Sequence, residues 1–469
     1  MSTHPRTDAH PHDDPASGPS APAYRLVTLI MLAQVTLVAF ESMAVTTAMP
    51  AVARELDAVR SYGLVFSLFL SAQLLGTVLA GTWCDLHGPL PVTLVGQAGL
   101  ALGSALAGVA TSFPMLLAGR VVAGFGGGLL VVALYVVIGR AYPESLRPKV
   151  FGWVSAAWVL PSIIGPLLAA WLTESLSWRW VFLVCVPPVL VTAVLTWARR
   201  RVVAPPGHVG SARDRSEHRR SAVAGMLVAL GAGALQWGSQ HVEPLEVLPL
   251  VVGAVGLLVV TGFAPRLVPP GTLRLARGLP SVTMARFLLT AGFNGAITFV
   301  PLMLVAERGA SATLAGVMMT LGSLGWSLGA ALQGREGFVR DRYRLLGLGG
   351  IALAAGLVGL ALVAGLGLTP WLVPVAVTGM GLGMGLAMST ISVLGLDLTP
   401  VADHGRTSAS LQLADTLGSA LGVAVTGAVF AGLHRGAGLD ARAYVLLWSV
   451  CAVSGLLVVA AGRRARPGV

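Results

Sequence analysis

The stretch "VTLVAFESMAVTTAMP", residues 35–50, sets one carboxylate, Glu41, inside a run otherwise fit for lipid. A charged side chain at the centre of a membrane helix costs about 2.5–3.5 kcal/mol on insertion scales unless it is paired, protonated or turned to water. The rest of the sequence settles that the run is a membrane helix. Of 469 residues, 55% are hydrophobic and only 11% charged, with mean hydropathy +0.80. Soluble domains carry about 25% charge, so this composition cannot cover a water-soluble surface. The class it predicts is an all-α polytopic membrane protein.

Fourteen apolar segments are long enough to cross about 30 Å of hydrocarbon. They lie near 25–48, 62–82, 91–111, 114–140, 149–174, 178–198, 221–239, 245–264, 280–306, 311–332, 344–366, 370–397, 405–433 and 441–462. With both termini cytoplasmic, six of the 31 Lys and Arg fall outside: Arg54, Arg60, Arg179, Arg308, Arg435 and Arg442. Arg120 and Arg286 fall within spans, and the other 23 face the cytoplasm. That bias follows the positive-inside rule. It also explains the net charge of +11 without nucleic acid. The expected organisation is a disordered tail (1–24), a six-helix half (25–198), a basic linker (199–220), a two-helix insert (221–264), a second linker (265–279), a second six-helix half (280–462) and a basic tail (463–469). Lys149 is the sole lysine, and Ala, Gly and Val abound, which suggests a GC-rich bacterium and its cell membrane.

The halves carry an internal repeat. "GRVVAGFGGGLL" (119–130) and "AVTGMGLGMGLA" (376–387) align Gly124, Gly126 and Gly128 with Gly381, Gly383 and Gly385, and the same offset carries Pro143 onto Pro400 and Gly165 onto Gly422. Small residues let membrane helices approach closely, and paired halves with a site between them are a transporter's architecture.

Four stretches resemble the major facilitator superfamily, and within it the fourteen-span drug:proton antiporters. They are "FESMAVTTAMPAVARELD" (40–57), "GTWCDLHG" (81–88, with Gly81, Asp85 and Gly88), "GRVVAGFGGG" (119–128) and "PSIIGPLLAAWL" (161–172) followed by "WRWVF" (178–182). The resemblance implies two six-helix halves, transport by alternating access and proton coupling. It also implies a kink at Gly165–Pro166 and a cytoplasmic latch near Asp85. Leu86, Pro89 and Leu90 stand where the family's loop is basic, and Pro161, Ala169 and Ala170 where its fifth span often has glycine.

The residues themselves support a charged pair. At 1.5 Å per residue, Arg120 lies about 9 Å below the outer face and Glu41 about 8 Å. Gln34, seven residues earlier, shares Glu41's helical face and marks a substrate pathway together with Asn294. Val377 stands where Arg120 would recur, so the charge belongs to one half. Asp415, near the middle of its span, is a second candidate for proton coupling, and Arg286 reads as snorkelling to the interface. All nine histidines lie outside the spans, and neither H-E-x-x-H nor a nucleotide-binding G-x-x-x-x-G-K-[ST] occurs. An enzyme is therefore not expected, nor a metal or cofactor, and the three cysteines fit no disulfide or metal spacing. The reading is a monomeric exporter of a small amphipathic molecule in exchange for protons. The alternatives are a facilitator or importer without coupling, or an exporter of a lipid, siderophore or self-made antibiotic.

Overall fold

The computed structural model describes residues 21–22, 24–143, 146–200, 212–240, 247–333, 341–400, 404–436 and 440–466. Among them the chain is helical with no strand. In order the helices are α1 (Arg25–Glu55), α2 (Tyr62–His87), α3 (Pro89–Gly108), α4 (Phe113–Ala141), α5 (Arg147–Ala156), α6 (Val159–Ser175), α7 (Arg179–Leu183) and α8 (Val186–Ala198). They continue as α9 (Ala212–Gln240), α10 (Val247–Phe263), α11 (Leu279–Ile297), α12 (Ala312–Gln333), α13 (Arg342–Gly365), α14 (Val373–Asp397), α15 (His404–Leu433) and α16 (Ala441–Arg464).

Among the described residues twelve helices are long and apolar enough to cross a membrane, against the fourteen expected. The two shortfalls are the spans expected at 149–174 and 221–239. The first is divided between α5 and α6, and the apolar part of α9 is only Val223–Gly238. Proline explains the interruptions. Ala157, Leu183 and Ile297 each lie four residues before a proline (Pro161, Pro187 and Pro301), whose missing N–H leaves that carbonyl without its helical donor. The Thr36 hydroxyl reaches the stranded Ala157 carbonyl from α1 at 3.5 Å. The fifth span is thus broken at 157–158 by Pro161. Pro166, where the kink was expected, lies inside the continuous helix α6.

Two pseudo-equivalent sets of helices pack in the same way. The α4 packs on α2 and α3, as α14 does on α12 and α13; α1 packs on α6, as α11 does on α15. The crossings are backbone on backbone. A Cβ on Gly76 would lie 2.3 Å from the Phe125 carbonyl oxygen, and one on Gly329 would lie 2.5 Å from that of Leu382. Likewise Gly126 approaches Gly96 O and Leu100 N, while Gly383 approaches Gly349 O and Leu353 N. The repeat thus keeps one register through α4/α14 and another, four residues shorter, through α2–α3/α12–α13.

The sets meet along α6–α12 and α2–α15. One face of the molecule carries the start of α1 and the end of α16: Gly278 N donates to Arg464 O at 3.1 Å, and Tyr24 stacks on Tyr142. At the opposite face the sets are drawn together. Glu174 accepts the Thr313 N–H at 2.9 Å and the Thr313 hydroxyl, so a carboxylate at the end of α6 caps the start of α12. Arg60 Nε donates to Ala431 O at 3.3 Å, and Tyr62, Phe299 and Phe430 form an aromatic plug with centroids 5.4 and 5.2 Å apart. Helix α9 lies against both α2 and α15: the buried Gln236 amide donates to Ser71 Oγ at 2.9 Å and to Ala420 O at 3.3 Å.

Candidate functional site

Glu41 and Arg120, far apart in sequence, meet in the interior. Arg120 Nη1 donates to Glu41 Oε1, and the two side chains are only 1–2% exposed. Helix α2 completes the cradle: Arg120 Nε donates to Val65 O at 3.4 Å, and the guanidinium carbon sits 4.0 Å over the Phe69 ring. A buried charge is tolerated only when paired and hydrogen-bonded, and here one pair neutralises itself. Glu41 Oε2 has no hydrogen-bond partner among the described residues. A buried carboxylate oxygen left open is where a proton can reside.

Beside the pair, between the two helix sets, lies a cavity of about 950 Å³ including its mouth. Its wall is mostly apolar and aromatic, with Phe69, Phe293 and Trp326, and hydroxyls from α1, from α12 and from Thr298 just past α11. Arg120 reaches this wall; Glu41 stands behind it. Phe293 and Trp326 meet edge to face at 5.5 Å. Asn294 also lines the cavity, with its amide donating to Ser419 Oγ at 2.9 Å and Thr290 O at 3.2 Å.

Asp415 sits apart from Glu41, in α15, and is paired with Arg286 of α11 (Nε to Oδ1, 3.4 Å). Arg286 Nη1 donates to Ser392 Oγ at 3.1 Å. Arg286 is thus held inside by partners rather than merely extended to an interface. Gln34 points elsewhere than the large cavity: its amide donates to Thr196 Oγ1 of α8 at 3.3 Å, and it lines a smaller apolar pocket with Tyr135 and Trp158.

The glycine and proline positions divide by role. Gly124 and Gly128 are crossing points, where a Cβ would lie 2.3 Å from Phe69 O and 2.1 Å from Gln73 O. Gly88 ends α2 with φ +80°, ψ 170°, a conformation for which only glycine is suited. Gly81 has nothing within 4 Å of a Cβ, and Gly165 faces Met43 and Phe40 of α1 at ordinary distance. Pro166 lines the cavity, and its carbonyl approaches Gly316 of α12. The side chain of Asp85 lies outside the described residues. Phe69, Trp326 and Glu174 were not singled out from the sequence. An aromatic residue in an apolar span reads as packing, and a carboxylate at a helix end reads as solvated, until the facing helix is known.

The sequence profile of the Major Facilitator Superfamily matches residues 31–423. An uncharacterized MFS-type transporter of Mycobacterium tuberculosis is 29% identical over 402 residues, covering 82% of this chain and 56% of that protein. The chain therefore matches little more than half that relative's length. The multidrug transporter protein MdtP of Bacillus subtilis is 25% identical over 393 residues, 83% of this chain and 72% of MdtP. Among solved structures, a peptide transporter POT superposes with TM-score 0.69 at 15% identity, covering 96% of this chain and 97% of that one. A bacterial homologue of the human lysosomal transporter Spinster, inward-facing and unoccupied, gives 0.65 at 16%, covering 95% and 96%.

Proposed function

We propose a function from one premise: this chain belongs to the major facilitator superfamily. Within it, the protein is a secondary transporter that exports a small amphipathic molecule in exchange for protons. The buried Glu41–Arg120 pair at the wall of the central cavity carries this reading. Relatives named for multidrug transport and multidrug resistance support the export of drug-like compounds. Counting α5–α6 and α9 as crossings restores fourteen spans and the drug:proton antiporter group, with residues 25–198 and 280–462 as the two moving halves and 221–264 as the insert. The basic loops then place the terminal face in the cytoplasm. On that orientation the Glu174–Thr313 cap and the Tyr62–Phe299–Phe430 plug close the outer side.

In this cycle Glu41 takes a proton from one side and releases it to the other. Arg120 holds the carboxylate when it is charged. A change in surroundings of about 1.4 kcal/mol shifts proton occupancy tenfold, within reach of a rocking motion that rehydrates one side of the cavity. Asp415, paired with Arg286, is the second titratable group proposed for the coupling. The test is transport in proteoliposomes with an imposed pH gradient. Glu41→Gln keeps the shape and cannot titrate, so it is expected to lose gradient-driven accumulation while still exchanging substrate. Full gradient-driven activity in that variant moves the coupling to Asp415 or removes it.

A further inference from the structure

We infer that the central cavity selects uncharged aromatic molecules bearing a hydroxyl or N–H donor, and discriminates against permanent cations. The inference rests on the transport reading above but concerns recognition alone.

Three observations carry it. First, both carboxylates near the route are already occupied: Arg120 holds Glu41 and Arg286 holds Asp415. Among the described lining residues the only charged one is Arg120, with its carboxylate partner behind it. The pair therefore presents its positive end to the cavity, and a cation finds like charge there instead of a counter-ion. Second, the ring surface is built for aromatic contact. The edge-to-face Phe293–Trp326 corner offers ring faces and edges, while the Phe69 face is already covered by the Arg120 guanidinium. Third, Asn294 has only an acceptor left. Both its amide hydrogens are committed, one to Thr290 O and one to Ser419 Oγ, which leaves Oδ1 for a donor on the ligand. An anion would have to displace Glu41 from Arg120, whose charge that carboxylate already neutralises.

Equilibrium binding to the purified full chain in nanodiscs, with no pH gradient, tests this with three probes on one ring system. They are 2-naphthol, 2-naphthyltrimethylammonium and 2-naphthalenesulfonate, with 2-methoxynaphthalene to remove the donor. The expected result is at least tenfold tighter binding of naphthol than of either ion, and a loss of most of the naphthol-over-methoxy preference in Asn294→Leu. Trp326→Ala should weaken all four probes. Equal or tighter binding of the cation, tighter binding of the sulfonate, or no binding of naphthol overturns the inference. Because the parent protein's own discrimination is the primary readout, a variant that misfolds does not protect the idea. Selective naphthol binding together with gradient-independent transport would instead overturn proton exchange and leave this inference standing.

Discussion

Substituting Gly128 by alanine should loosen the N-terminal helix set, and the repeat says that Gly385→Ala should do the same to the other. An added Cβ at Gly128 would lie 2.1 Å from Gln73 O and 2.8 Å from Thr77 N; at Gly385 it would lie 2.1 Å from Trp326 O and 2.8 Å from Ala330 N. Ordinary contact begins near 3.4 Å, so the crossing helices must part by more than 1 Å over rigid backbone. Overpacking of this kind costs about 1–3 kcal/mol. If the crossing opens before unfolding is committed, the unfolding rate rises about 5- to 150-fold, since about 1.4 kcal/mol is a factor of ten. Gly139 and Gly379 lie on the same two helices with nothing within 4 Å, and alanine there should stabilise by roughly 0.5–1 kcal/mol. The protein carries its own reporter. Cys84, Cys185 and Cys451 are all buried, so the rate at which a thiol-reactive dye labels them in detergent reads unfolding. If Gly128→Ala and Gly385→Ala label no faster than the two controls, the crossings are not what holds the helix sets together.

Removing Arg120 alone should be worse than removing the whole pair. Arg120→Gln strands a carboxylate that is 1% exposed, at about 3–5 kcal/mol, and the same thiol assay should show much of that recovered in Glu41→Gln/Arg120→Gln; a double variant less stable than Arg120→Gln would contradict the pairing. Glu174→Ala removes the cap that joins α6 to α12 at the face opposite the start of α1. A lost cap is worth about 1 kcal/mol, so the population open at this face should rise about fivefold, seen as a longer distance component between spin labels at the exposed Leu176 and Leu366; an unchanged distance distribution would show that the cap is not part of the closure.

Composition and periodicity determined the class: with 11% charge and long apolar runs, the chain has no alternative to membrane helices. The glycine repeat was legible because close helix crossing admits almost no other residue, so the constraint is written in residue identity. The depth of Glu41 and Arg120 was legible for a similar reason, since rise per residue converts position into depth. Facing is another matter. Depth alone does not say that Glu41 turns toward Arg120 or that Gln34 turns toward Thr196, because both sit on one apolar helix whose rotation is set by its neighbours. The sequence also showed every proline without ranking them. Pro161, Pro187 and Pro301 interrupt their helices while Pro50 and Pro166 do not. Whether a stranded carbonyl breaks a helix depends on the packing around it, as where the Thr36 hydroxyl meets Ala157 O from a neighbouring helix. The Arg286–Asp415 pair, the Glu174 cap and the bridging Gln236 are likewise products of tertiary structure. Each joins groups on different helices, and in a bilayer a polar group is satisfied by whichever partner the fold brings within reach.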